Sequence, residues 1–137
     1  MQHSHELQDL RGGLHRVFEP SERSDGTRLW APAVDVAESE HEIVLYAELP
    51  GMSREEIDIQ LSGDMLTLRG ERKIAAATQG EHYHRIERQY GPWRRAFQIE
   101  VPIDQTQVSA TYESGILTVR LPKREEIKPR QIPIEVR

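Results

Sequence analysis

The stretch VSATYESGILTVRL, residues 108–121, decides the fold class. Apolar side chains occupy every second position on both sides of Ser114-Gly115; they are Val108, Ala110 and Tyr112 before it, and Leu117, Val119 and Leu121 after it. A period of two indicates a strand with one buried face. Gly115 fits a turn position with φ > 0, where a Cβ would clash. Two half-buried antiparallel strands joined by a turn are therefore predicted.

The same alternation recurs upstream, in residues 43–49, 57–61, 66–68 and 93–101. Turn-forming residues separate these runs, namely Pro50-Gly51, Ser62-Gly63-Asp64 and Gly91-Pro92. Six to eight short strands within roughly 90 residues indicate an all-β fold, an immunoglobulin-like antiparallel β-sandwich.

The composition bounds the function. A chain of 137 residues fits one domain plus tails. The net charge of −5 disfavours a general affinity for nucleic acid or anionic membrane, and the absence of cysteine excludes disulfides and thiolate chemistry. Near Met1 no apolar run has the length of a signal peptide or a membrane span, so we expect a cytoplasmic protein.

The chain divides into three parts. Residues 1–29 form an N-terminal arm, residues 30–122 the sandwich domain, and residues 123–137 an extended C-terminal tail that contains two prolines. In the arm, apolar residues at helix-like spacing predict a short, weak amphipathic helix; they are Leu7, Leu10, Leu14, Val17 and Phe18. Gly12-Gly13 interrupts it, and a polar linker follows.

Residues 73–84 are small and polar, which predicts a long loop. Residues 83–89 then have the mixed character of a strand that pairs away from its own sheet.

Several motifs, in order and spacing, resemble a bacterial small heat-shock protein, a family built on the α-crystallin domain. They are WAPAVDV (30–36), LPGM (49–52), LTLRGER (66–72), YHRIER (83–88), ATYESGILTV (110–119) and IPI (132–134). The resemblance covers roughly residues 30–134. The arm before Trp30 is shorter than in many members of the family, which bears on the size of the oligomer.

The resemblance implies a dimer in which residues 83–89 cross to the other subunit as an exchanged strand. We expect the dimer interface to contain Tyr83, Arg85, Glu87, Arg88 and Arg95. Arg95 occupies an apolar position of its strand, between Trp93 and Phe97, and a charge there needs a partner. Either it forms an intersubunit ion pair, with Glu87 as a candidate acid, or it snorkels from the sheet edge.

The tail motif has a role in assembly by the same resemblance. Ile132 and Ile134 flank Pro133, so on an extended backbone both side chains point the same way. The family likeness implies that they dock in a groove between two strands of a neighbouring subunit; the predicted groove residues are Ile57, Ile59, Leu61, Val108 and Ala110. The alternative is an apolar tail with no partner.

Other readings of the motifs have less support. His82 and His84 would share a face of a strand, but no third ligand is fixed nearby, so we predict neither a metal nor a cofactor. Arginines interleaved with aromatics around Tyr90 could form a nucleic-acid patch, but Glu81 and Glu87 dilute it. Neither a phosphate-binding loop nor a G-x-S-x-G motif is present, which argues against an enzyme.

The expected function is that of an ATP-independent holdase chaperone, which binds partly unfolded proteins through apolar surface and prevents their aggregation. The arm residues Leu10, Leu14, Val17 and Phe18 are the expected client-binding side chains. The alternative is a co-chaperone or adaptor that uses a similar sandwich to bind one dedicated folded partner.

Overall fold

The computed structural model describes residues 16–20, 29–74, 80–125 and 131–136. The strands in this part of the chain are β1 (Val17–Phe18), β2 (Val34–Glu38), β3 (Glu42–Glu48), β4 (Ile57–Ser62), β5 (Met65–Arg72), β6 (Gly91–Ile99), β7 (Ser109–Glu113) and β8 (Ile116–Pro122). Short 3₁₀ helices cover Arg54–Glu56 and Gln105–Gln107. None of the helices in these ranges is long and apolar enough to cross a membrane.

The strands form two antiparallel four-stranded sheets, with the orders β1-β6-β5-β4 and β2-β3-β8-β7. The register places apolar residues of neighbouring strands side by side on one face, as Leu45 opposite Val119 and Leu66 opposite Phe97. The largest fully buried side chains are Ile43, Leu45, Leu49, Leu66, Leu68, Trp93, Ile99, Val119 and Leu121. They lie at the alternating positions of the sequence, so the predicted β-sandwich is confirmed.

The hairpin between β7 and β8 has the predicted turn. Glu113 pairs with Ile116, which leaves Ser114 and Gly115 as a two-residue loop. Their φ angles are 53° and 76°, the left-handed region that a tight hairpin turn requires. A Cβ on Gly115 would also lie 3.0 Å from Pro50, so the turn packs closely against the preceding loop.

Gly70 on β5 has a packing role that its sequence context does not reveal. A Cβ there would lie 2.3 Å from the backbone oxygen of Glu56 and 2.8 Å from the ring of Trp93. Gly70 is therefore the position at which the fully buried Trp93 ring crosses the neighbouring strand. Any larger residue would have to displace backbone or a bulky core ring.

The arm differs from its prediction at Val17 and Phe18. These residues form strand β1, not part of a helix, and pair with Ile99 and Gln98 of β6. Val17 is only 4% exposed and belongs to the hydrophobic core, so it is not a free client-binding side chain. Backbone pairing with the edge of β6, extended by the hydrogen bond from Glu100 N to the oxygen of Arg16, prevails over the weak helical periodicity.

The other arm residues have different outcomes. Leu7, Leu10 and Leu14 lie outside the described residues. Phe18 remains exposed beside β6. Strand β2 is a further difference, because its alternating Val34 and Val36 were not among the predicted strands.

Candidate functional site

A groove runs between one edge of each sheet. Strand β4 ends the first sheet and β7 ends the second, so each has a side without a strand neighbour in the described chain. The groove has a volume of about 520 Å³ and is lined by Arg54, Ile57, Ile59, Ala110, Thr111, Tyr112 and Leu117. Apolar side chains between two open strand edges suit an extended apolar peptide.

The sequence shapes this groove through alternation on β4. Ile57 and Ile59 are half-buried and point inward, whereas Asp58 and Gln60 point to solvent. Opposite them, the hydroxyl of Tyr112 donates a hydrogen bond to the backbone oxygen of Leu49, which fixes the ring at the wall of the groove.

The 3₁₀ helix Arg54–Glu56 precedes β4 and contributes Arg54 to the groove lining. The Glu56 carboxylate accepts hydrogen bonds from the Ser53 hydroxyl at 2.7 Å and from the Ser53 backbone N–H at 3.3 Å. These bonds, the hydroxyl bond foremost, hold the pKa of Glu56 below its ordinary value of 4.5. The helix thus has a fixed start, and it places Arg54 at the rim of the groove.

The predicted groove residues are only partly brought together. Ile57, Ile59 and Ala110 line one groove, as expected. Leu61 instead lines a smaller hollow at the far end of the sandwich, with Ile99 and Val101, and Val108 packs against the core before β7 begins. Two of the five predicted groove residues, Leu61 and Val108, are therefore not part of the groove lining.

The tail motif is open to solvent. Ile132 and Ile134 are 81% and 89% exposed. Isolated surface isoleucines are ordinary, but two at one motif with their side chains in water form an apolar surface without cover in the described chain.

Residues 83–89 are exposed, Tyr90 is half-buried, and none of them belongs to a strand. Within this segment Arg85 Nη1 contacts Glu87 Oε1 at 3.0 Å, and both side chains are largely in solvent. A shallow hollow is lined by Tyr83, Arg85, Ile86, Glu87, Arg88 and Tyr90. The predicted dimer residues of this segment thus lie together on one surface.

Within its own chain, Arg95 has a partner that the sequence did not suggest. Its guanidinium binds both carboxylate oxygens of Glu19, at 2.8 and 2.7 Å, and donates to the backbone oxygen of Pro32 at 2.7 Å. It also lies over the Phe97 ring, 5.1 Å from the centroid. Within one chain, Glu87 binds Arg85 and Glu19 of the arm binds Arg95. The predicted pair between Arg95 and Glu87 joins two subunits and stays a prediction.

Sequence reasoning missed the acid Glu19 and four groove residues, which are Arg54, Thr111, Tyr112 and Leu117. Tyr112 shares the parity of Ala110 on β7, and Leu117 is the cross-strand partner of Tyr112, so both could have been assigned to the groove. Arg54 and Glu19 have no such pattern, because a turn and an irregular arm carry them.

A two-sheet sandwich with an open groove between β4 and β7 and an exposed I-x-I tail is the architecture of an α-crystallin domain protein. The chain belongs to the Hsp20/alpha crystallin family, which matches residues 35–136. It is therefore a member of the small heat-shock protein family.

The relatives agree with this assignment. Small heat shock protein C4 of Rickettsia felis is 32% identical over 107 residues, which cover 78% of this chain and 66% of the relative. The chain thus spans slightly less than two thirds of that protein's length. A small heat-shock protein of Xylella fastidiosa, whose crystal structure reveals a distinct high order structure, is 37% identical with a TM-score of 0.66, covering 80% of this chain and 100% of that one. Heat shock protein 16.0 of Schizosaccharomyces pombe is 31% identical with a TM-score of 0.67, covering 77% and 99%.

Proposed function

We propose that this chain is an ATP-independent holdase, which binds partly unfolded proteins and keeps them from aggregating. The observation that carries the proposal is an open apolar groove and an exposed apolar tail in one chain of a chaperone family. Apolar contact is non-directional, so such surfaces suit many different unfolded segments. No bond is made or broken, and the sequence has no phosphate-binding loop that would couple binding to ATP.

The tail of one chain fits the groove of another by its spacing. Ile132 and Ile134 are two residues apart on an extended backbone, and so are Ile57 and Ile59 on β4. Each pair is separated by roughly 6–7 Å, because a strand rises about 3.3 Å per residue. Two tail side chains therefore match two groove side chains, and Pro133 reduces the entropy lost when the tail is ordered.

A homodimer is the second part of the proposal. The segment that contains Tyr83, Arg85, Glu87 and Arg88 forms no strand in its own sheets, and its Ile86 is exposed. As an exchanged strand it would pair with the sheet edge of a second copy, which would cover these side chains and satisfy the open backbone groups. Tails joining such dimers through their grooves would give a larger assembly.

The client-binding surface is proposed to consist of Phe18, the arm residues Leu10 and Leu14, and grooves from which tails have left. Phe18 is the exposed member of β1, whereas Val17 is buried. Clients covered in this way no longer present aggregation-competent segments to each other. The proposed location is the cytoplasm. The proposed partners are partly unfolded proteins and other copies of the chain, and they include neither nucleic acid nor membrane.

Light scattering of unrelated clients tests the function. A heat-sensitive and a reduction-sensitive model protein would be aggregated with and without the full chain, in the absence and presence of ATP. We expect suppression near equimolar ratio that ATP does not change. No protection of either client would contradict the holdase and favour the adaptor with one dedicated folded partner.

A further inference from the structure

We propose that Arg54 sets the direction in which the tail of a second copy lies in the groove, through an ion pair with Glu135 of that tail. The inference rests on the proposed docking of tail to groove. It adds a specificity-determining residue that apolar contact alone does not supply.

Arg54 is the charged member of the groove lining in the described part of the chain, since the other lining residues are apolar, aromatic or hydroxyl-bearing. It lies at one end, directly before β4 begins with Ile57. No hydrogen bond or ion pair of its side chain is formed within the described residues. The carboxylate of Glu56, two residues further along, accepts a hydrogen bond from Ser53 and forms no ion pair with Arg54. One cation thus marks one end of a groove whose other lining residues are uncharged.

The tail motif is symmetric in its side chains, because Ile132 and Ile134 flank one proline. Non-directional apolar contact would therefore seat the pair equally well in either direction. The flanking residues break this symmetry, since Gln131 is neutral and Glu135 is acidic. Glu135 is exposed and has no ion pair within the described residues.

Only one direction brings the opposite charges together. With Glu135 at Arg54, Ile134 lies on the Ile57 side of the groove and Ile132 on the Ile59 side. The reverse direction places Gln131 at Arg54 and leaves the carboxylate at the uncharged end. Charges at the rim of an interface select register and orientation more than they add affinity.

Peptide binding to the full chain tests the pair. The protein carries Ile132→Ala and Ile134→Ala, so its own tail does not compete, and the probe is a labelled peptide of residues 127–137 followed by fluorescence anisotropy. We expect Arg54→Glu in the protein, or Glu135→Arg in the peptide, to weaken binding about two- to fivefold, as for an exposed ion pair. Combining both reversals should restore affinity, and raised salt should remove the differences.

The overall charge predicts the opposite sign for one arm of this experiment. A protein with a net charge of −5 would by general attraction prefer the more basic Glu135→Arg peptide. Weaker binding of that peptide therefore reports the local pair. If the native peptide requires its isoleucines but neither reversal changes its affinity, Arg54 has no directing role and the docking stands. If the native peptide binds no better than one with both isoleucines replaced by alanine, the docking itself is wrong, and this inference with it.

Discussion

Arg95 and Glu19 form a two-point ion pair, with Nε donating to Oε1 at 2.8 Å and Nη2 to Oε2 at 2.7 Å. The residues are 76 positions apart, so the pair ties the segment before the sandwich to strand β6. Their side chains are 19% and 37% exposed, which shields the pair partly from solvent. The end of the arm is thus built into the domain.

Arg95→Ala should lower the free energy of unfolding by about 1–3 kcal/mol, because Glu19 and the Pro32 oxygen both lose a charged donor. Urea unfolding of the variant would measure the change. In a double-mutant cycle Arg95 should couple to Glu19 and not to Glu87, whose bond to Arg85 lies in solvent. Coupling to Glu87 instead would support the intersubunit pair suggested by the sequence.

Val17→Ala should destabilise the sandwich by about 1–3 kcal/mol, because it removes buried apolar volume next to β6. Phe18→Ala is the matched control on the same strand, and its exposed ring should cost much less. Thermal melts of the two variants would show which substitution destabilises the protein more. Equal, small effects would show that β1 detaches from the sheet in solution.

The sequence predicted the parts of the fold that depend on local alternation. Strands with several inward residues, such as those around Leu45 and Val119, could be predicted from their period of two. Strand β1 did not, because two residues are too few to show a period and neighbouring leucines suggested a helix. The partner of Arg95 was equally hidden, since several acids were available and only the folded path of the arm selects Glu19.

The groove residues also divide into those that the sequence predicts and those that only the folded structure reveals. Ile57, Ile59 and Ala110 could be assigned from strand parity and family resemblance. Arg54 could not, because its position at the rim depends on how the turn before β4 folds over the sheet edge.

Gly70→Ala should destabilise the domain by about 1–3 kcal/mol through overpacking, because its Cβ would meet the Trp93 ring and a backbone oxygen. Displacement of the buried ring should also shift the tryptophan fluorescence to longer wavelength. Gln60→Ala, on the solvent face of β4, serves as the control that should change neither quantity. An unaltered melt and emission spectrum for Gly70→Ala would contradict the close packing at this position.

Glu56→Gln should make the free energy of unfolding fall less steeply as the pH becomes acidic. The pKa of Glu56 is lower in the folded chain than its ordinary 4.5, so its carboxylate contributes stability above that pH. The contribution is lost as pH falls through the folded pKa. The free energy of unfolding, measured from pH 6 downward, should decline less in Glu56→Gln than in Glu55→Gln. Glu55 is the matched control because Ser53 bonds to Glu56 and not to Glu55. Identical profiles would mean that the Ser53 bonds do not persist in solution.

Contact between the tail of one chain and the groove of another is measured most directly by native mass spectrometry of the parent and the Ile132→Ala, Ile134→Ala variant at equal concentration. Each isoleucine buried in a neighbouring groove contributes roughly 1.5–3 kcal/mol, which is enough to shift a reversible oligomer. We predict that the parent forms an assembly larger than a dimer, and that the variant falls to dimers with an unchanged melting temperature. Equal subunit numbers for parent and variant would contradict tail-to-groove assembly.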